Sequence, residues 1–144
     1  MPVLLYVLLA LTASLQSLLG TPKSGQNTQS TSLYNNYKIF KYSNLHLASG
    51  DDLYVPHPAE HWDLYKYSPT FAVFFGLFAS LPDALGLPLW NLANALLLLL
   101  GIRYLPRFNT LQKNLILLIA CIELLTSLQN SQSNALMAGL LILA

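Results

Sequence analysis

Three apolar runs dominate this chain: Val3 to Gly20, Leu89 to Ile102 and Leu115 to Leu128. A helix that crosses a bilayer needs roughly 20 apolar residues, with about 17 as a floor, and in hydrocarbon it must pair all of its backbone groups internally. The first run has that length by itself. The second reaches it with Pro88 and Tyr104, and the third with Gln112 to Asn114. A fourth run, Ala135 to Ala144, has no polar cap or charged flank at its end, so the chain is expected to continue inside a membrane helix. Val3 to Gly20 could instead serve as a secretory signal, but no Lys or Arg precedes it and no small-x-small cleavage site comes after it. On either reading, the chain beyond Gly20 is delivered outside.

Composition agrees with a membrane chain. Charged residues make up 9% of the sequence, against roughly 25% in a soluble domain. The net charge of +1 and the lack of a basic, aromatic-interleaved patch argue against nucleic acid as a partner. Cys121 is the single cysteine and sits within an apolar run, which excludes a disulfide framework and reads as an inert thiol.

The polar stretch from Thr21 to Ser68 is different in kind. It opens on the Ser/Thr/Gln-rich linker TPKSGQNTQSTS and continues as NNYKIFKYSNLHLASG, in which Tyr37, Phe40, Asn44 and Leu47 share one helical face. Asn35 or Asn36 is suited to cap the start of that helix, and Gly50 to end it in the left-handed conformation. Six of the eight tyrosines lie in this stretch, which suits a helix lying at headgroup level.

Pro69 to Pro82 carries no charge, yet its fourteen residues cover only about 21 Å as helix, short of a ~30 Å hydrocarbon core. Pro69 fits a first helical turn and Pro82 limits the far end. The segment therefore reads as a juxtamembrane or re-entrant helix in the outer leaflet. The connector with Arg103, Arg107 and Lys113 holds no acid and should face the cytoplasm. One crossing then separates the connector from the polar loop, which faces outward. The expected fold is all-α: one polytopic membrane domain over 1–144, with a long external loop carrying juxtamembrane helices. Its parts are a span over 1–20, the loop over 21–68, the tucked helix over 69–82, spans over 88–104 and 112–128, and the start of a further span over 133–144.

Polar groups mark where chemistry can occur. Glu123, Ser127, Asn130 and Asn134 have spacings that keep them on one helical face. A carboxylate within a span normally faces a bundle interior or a water-filled cavity, here a ligand cavity or a cation on a neighbouring helix. The segment HPAEH, His57 to His61, matches the H-x-x-E-H spacing of zinc hydrolases. Pro58 disfavours the helix that spacing requires, so no metal and no cofactor are expected. His61, Asp63 and Lys66 are placed at the loop–membrane interface, where Lys66 can meet a lipid phosphate or simply snorkel.

Four segments in order carry a resemblance: NNYKIFKYSNLHLASGDDLY, DLYKYSPTFAVFFGLFASLP, LPLWNLANALLLLL and ELLTSLQNSQSNALMAGLLI. From about Tyr34 onward the chain resembles the N-terminal part of glycosyltransferase family 87, the polyprenol-phosphate-mannose-dependent, mannosyltransferase-like group of the GT-C superfamily. The resemblance implies an integral-membrane enzyme, in a bacterial inner (plasma) membrane, that takes a mannose-like sugar from a polyprenol-phosphate donor at the outer face. It also implies a much longer protein, of which this chain is about the first third and inactive alone.

The family pattern places an acid at the start of the loop helix, where this sequence has Asn36 before Tyr37. An amide cannot accept the proton of an attacking hydroxyl. The role of base passes to Asp52, or next to Asp51, with Glu60 and Asp63 further on. Asn36, Lys66, Tyr67, Ser68, Glu123, Gln129, Asn130, Gln132 and Asn134 are the expected substrate contacts. The site is expected where the GDDLY, YKYSP and QNSQSN stretches converge. The alternative is a non-catalytic membrane protein, either a transporter fragment or a degenerate assembly subunit.

Overall fold

In the computed structural model, residues 2–20 and 32–144 are described; the linker over 21–31 lies outside them. The described residues form six helices and no strand: α1 (Pro2–Leu19), α2 (Asn35–Ser49), α3 (Pro69–Ala79), α4 (Asp83–Tyr104), α5 (Thr110–Gln129) and α6 (Asn134–Leu143). Of these, α1, α4 and α5 are long and apolar enough to cross a membrane.

The bundle is built on small and amide side chains. Tyr6, Ala10, Ala13, Ser14 and Ser17 form the buried stripe of α1, while Leu4, Leu8, Leu11 and Leu15 point outward. Hydrocarbon does not drive leucines inward as water does, so close packing of small residues joins such helices. The Tyr6 hydroxyl donates to the Leu117 carbonyl (2.9 Å), and Gln129 donates to Gln16 (2.9 Å), so α1 and α5 run parallel. Asn91, fully buried on α4, donates to Ser14 Oγ (2.9 Å) and the Leu128 carbonyl (3.3 Å), joining all three long helices. Asn94 accepts from the Leu136 backbone N–H (3.0 Å) and so fixes the start of α6 against α4. Further along that pair, Gly139 lies directly on the Leu97–Leu98 backbone.

Two boundaries differ from the sequence expectation. The helix of the second long run begins at Asp83 rather than at 88, and Pro88 lies inside it. Pro88 forfeits one early backbone bond, which an apolar helix end anchored elsewhere tolerates. The loop helix uses neither Asn35 nor Asn36 as its cap: Tyr34 stands at the N-cap position without a side-chain bond. Both asparagines have tertiary partners instead, Asn35 accepting from Trp62 N–H (3.2 Å) and Asn36 donating to the Asn130 carbonyl (2.9 Å). Gly50 ends α2 with φ 81°, and its N–H and that of Asp51 both turn back to the His46 carbonyl. The α5–α6 turn uses the same closure with Ser131 at φ 52°: Ser131 N–H reaches Leu128 O and Gln132 N–H reaches Ser127 O.

The basic connector and the polar loop lie at opposite ends of the bundle. Lys113 Nζ donates to the Arg103 carbonyl (2.7 Å) at one end. At the other, Lys41 bridges to the Leu81 carbonyl (2.9 Å) and Asp83 (2.7 Å), and Trp90 donates to the Ser131 carbonyl (3.0 Å). Helix α3, eleven residues and roughly 16 Å long, is shorter than a ~30 Å hydrocarbon core. Its Ala72, Phe75 and Ala79 face the protein, while Val73, Phe74 and Leu77 are exposed. A cluster of Phe40, Phe71, Phe75, Phe78 and Trp90, with ring centroids 5.0–6.2 Å apart, fastens α2 and α3 to α4.

Candidate functional site

The polar loop is shaped by its own turns. The Asp51 carboxylate accepts from Ser49 Oγ (2.5 Å), and Asp52 Oδ1 accepts from the Tyr54 N–H (2.9 Å), so each closes the turn after α2. The Tyr54 hydroxyl then donates to the Tyr67 carbonyl (3.1 Å), and that of Tyr65 to the Ser68 carbonyl (2.6 Å). These bonds bring the GDDLY and YKYSP stretches together. Burial pushes the Tyr65 phenol up to about 12. Ser68 caps α3, its Oγ accepting from Phe71 N–H (3.3 Å), and Pro69 stands next to it in the first turn.

Below Ser68 an apolar groove of about 340 Å³ runs between α3 and α6. Tyr67, Ser68 and Thr70 stand at its polar end, and Phe71, Phe74, Leu136, Met137 and Leu140 form its walls. Lys66 beside it holds Asp63 in a two-oxygen pair (2.7 and 2.9 Å). That hydrogen bond holds the Asp63 carboxyl below the usual carboxylate range.

The QNSQSN turn stands apart from the GDDLY turn, although α6 just after it lines the same groove as Tyr67 and Ser68. Asn36 and Asn130 meet at the N-terminal end of α2, roughly 20 Å along the helix from Asp51 and Asp52. Gln129 is engaged with Gln16, and Asn134 donates to Gln132 Oε1 (3.0 Å). Glu123, Ser127 and Asn134 do line one cavity of about 290 Å³ between α4, α5 and α6. Asn130 is not part of it, because α5 ends at Gln129 and the turn swings Asn130 away. Thus three members of the expected polar face share a cavity, and the fourth is a link to the loop.

Two groupings were not anticipated from sequence. Asp83 opens α4 beside Tyr34, Tyr37 and Lys41; burial first, and then the Asp83 charge, raise both phenols above their ordinary value. In the sequence Pro82 read only as the far limit of the preceding helix. The second grouping gathers the chain's three histidines. His46, on α2, and His57 stack at 3.8 Å, while His46 Nε2 lies 2.9 Å from Glu60 Oε2. His61 lies beside them, its Nδ1 donating to the Asp63 carbonyl (2.6 Å), and burial pushes its pKa down. His57 and Glu60 come from the H-x-x-E-H segment, but their partner is His46 from α2 rather than His61 on a shared helix. The ligand atoms of His46, His57 and Glu60 lie within 4.8 Å of one another, so these three residues are able to hold a metal ion.

Comparison with known proteins gives one family match, to the model of glycosyltransferase family 87 over residues 65–144. No curated protein and no solved structure matches the chain. The matched stretch begins at Tyr65 and includes the Ser68 cap, the apolar groove, α4 and α5, and the polar cavity at Glu123. Because it covers more than half of the residues, this chain belongs to glycosyltransferase family 87.

Proposed function

We propose that the protein transfers a mannose-like sugar from a polyprenol-phosphate donor to an acceptor hydroxyl at the membrane face where α2 and α3 lie, and that this is the outer face of a bacterial inner membrane. The observation that carries this reading is the α3–α6 groove: apolar along its length, polar at one end, and open at the surface of the bundle, where Phe74, Met137 and Leu140 are exposed. A prenyl chain would lie along Phe71, Phe74, Met137 and Leu140. Its phosphate would then stand near Ser68 and Thr70, where Pro69 has no N–H and Ser68 already takes those of Phe71 and Ala72, so the Thr70 N–H and hydroxyl are the donors it would meet. Lys66 is close enough in sequence to exchange Asp63 for that phosphate and so stabilise the departing charge.

Asp52 is the candidate base. The Asp52–Tyr54–Tyr67 chain of hydrogen bonds ties its turn to the polar end of the groove, and only one of its oxygens is committed to the turn. Asn36, Gln129, Asn130, Gln132, Glu123 and Asn134 stand further off, on the acceptor side or in a second subsite lined by Glu123. The orientation is supported by Arg103, Arg107 and Lys113, which lie in the connector at the opposite end of the bundle and fit the cytoplasmic excess of basic residues.

The test is turnover of a radiolabelled polyprenol-phosphate sugar by membranes that carry the longer protein of which the resemblance makes this chain the N-terminal third; the 144-residue chain alone should show none. Asp52→Asn should lower turnover ~10²–10⁴-fold, the usual worth of a general base, with donor binding little changed. Near-normal turnover in that variant removes Asp52 from the mechanism and leaves Asp51 as the next candidate. The second reading is a non-catalytic relative, favoured by Asn36, whose amide makes a structural bond to Asn130 where the family carries an acid. Wild-type protein of that greater length that binds the donor without turning it over would decide for that reading.

A further inference from the structure

We propose that His46, His57 and Glu60 bind a divalent transition-metal ion of the zinc type, which clamps the turn after α2 onto the C-terminal end of that helix. Two imidazoles and one carboxylate are a donor set suited to zinc and its first-row neighbours rather than to magnesium or calcium, which take oxygen ligands.

Three features support a site rather than a chance meeting. First, the ligand atoms lie within 4.8 Å of one another, and His46 Nε2 and Glu60 Oε2 are 2.9 Å apart. Bonds of 2.0–2.1 Å at a tetrahedral ion put ligand atoms about 3.3 Å apart, so small side-chain rotations complete the set. Second, Glu60 Oε2 is shielded from solvent and makes no hydrogen bond among the described residues, although it faces the His46 nitrogen. An ion between the two would satisfy both lone pairs. Third, the outer contacts hold the ligands in place. His57 Nε2 donates to the Asp52 carbonyl (3.2 Å), which leaves Nδ1 as that ring's free ligand atom. The Glu60 and His61 N–H groups both return to the His57 carbonyl (2.9 and 3.1 Å), fixing His57 and Glu60 one turn apart.

A plain His46–Glu60 ion pair accounts for one of these contacts and not for the others. It gives the His57 ring, stacked 3.8 Å away on His46, no part in the contact. A metal ion uses both rings neutral, at the cost of opening the 27° angle between them by rotating His57. The consequence is positional: the clamp would hold the backbone that carries Asp52. The site does not depend on the sugar-transfer reading, because metal binding is measured without donor or acceptor.

The experiment uses the chain purified in detergent without a histidine tag, stripped by a chelator and titrated with Zn²⁺ against a chromophoric competitor. Co²⁺ serves as a spectroscopic probe. One ion per chain is expected, together with visible Co²⁺ bands that show nitrogen and oxygen ligation and no thiolate. His57→Ala and Glu60→Gln should each weaken uptake at least 10-fold. Zn²⁺ should slow tryptic cleavage after Lys66 in the wild type and not in either variant. If His57→Ala does not fold, Glu60→Gln, which keeps the shape of the side chain, reads the same loss. Absence of stoichiometric uptake by the wild type overturns the proposal, as does uptake that both variants leave unchanged.

Discussion

Replacing Trp90 tests how the loop is attached to the membrane helices. Trp90 is fully buried in α4, with Phe40, Phe71, Phe75 and Phe78 around it at ring distances of 5.8, 6.1, 5.0 and 5.4 Å. Its indole N–H donates to the carbonyl of Ser131, a residue that is itself buried (3.0 Å). Trp90→Phe keeps most of the ring contact but leaves that carbonyl without its donor, a cost of about 1–3 kcal/mol. Trp90→Ala also empties the centre of the aromatic cluster and should cost about 3–5 kcal/mol, as buried Phe and Trp truncations do. The graded loss can be read by unfolding in mixed detergent micelles, monitored by far-UV circular dichroism. A second readout is protease cleavage between Gly50 and Lys66, which should accelerate strongly in the alanine variant and only slightly in the phenylalanine one. The remaining tryptophan, Trp62, is 62% exposed, so it reports the loop by fluorescence when Trp90 is gone. Equal losses for the two variants would show that ring packing adds nothing to the hydrogen bond. A loss below about 1 kcal/mol for alanine would show that the cluster does not fasten the loop at all.

Gly139→Ala places a methyl 2.5 Å from the Leu97 carbonyl carbon and oxygen, which are backbone and have no rotamer to yield. Helix α6 must then move away from α4, and a loss of about 1–3 kcal/mol is expected in the same unfolding assay; an unchanged midpoint would refute the close crossing. The Tyr65 phenol, raised by burial from 10.0 to about 12, gives a pH dependence. Its contribution is complete below pH 10 and is lost as pH rises toward 12, because the folded state resists ionisation. Wild type should therefore lose stability more steeply over that window than Tyr65→Phe, by roughly 2–3 kcal/mol, and parallel curves would refute it. For orientation, with Cys121 replaced, an impermeant thiol reagent on intact cells should label a cysteine at position 49 and not one at 109. Equal protection of both would place loop and connector on one face.

Much of the fold was legible in the sequence because hydrocarbon imposes a simple requirement. An apolar run long enough to cross must be a helix, and a Pro-bounded run of fourteen residues is too short to be one that crosses. The Gly50 terminus and the Pro69 start were equally local, since a left-handed position and a first helical turn each depend on one residue's backbone. The site was legible only in part. Asn35 and Asn36 have the chemistry of caps, and whether an amide caps its own helix or reaches Trp62 and Asn130 depends on which segments fold back beside it. The three polar stretches were expected to meet because all of them lie at one end of the bundle. The length of α2 keeps the QNSQSN stretch from the GDDLY turn, since a rigid helix holds its two ends roughly 20 Å apart. The His46–His57–Glu60 grouping could not be read from the H-x-x-E-H spacing, because its members do not share a helix. Sequence order determined the membrane helices and the polar residues between them; the packing of α2 and α3 against Trp90 decided which of those residues meet.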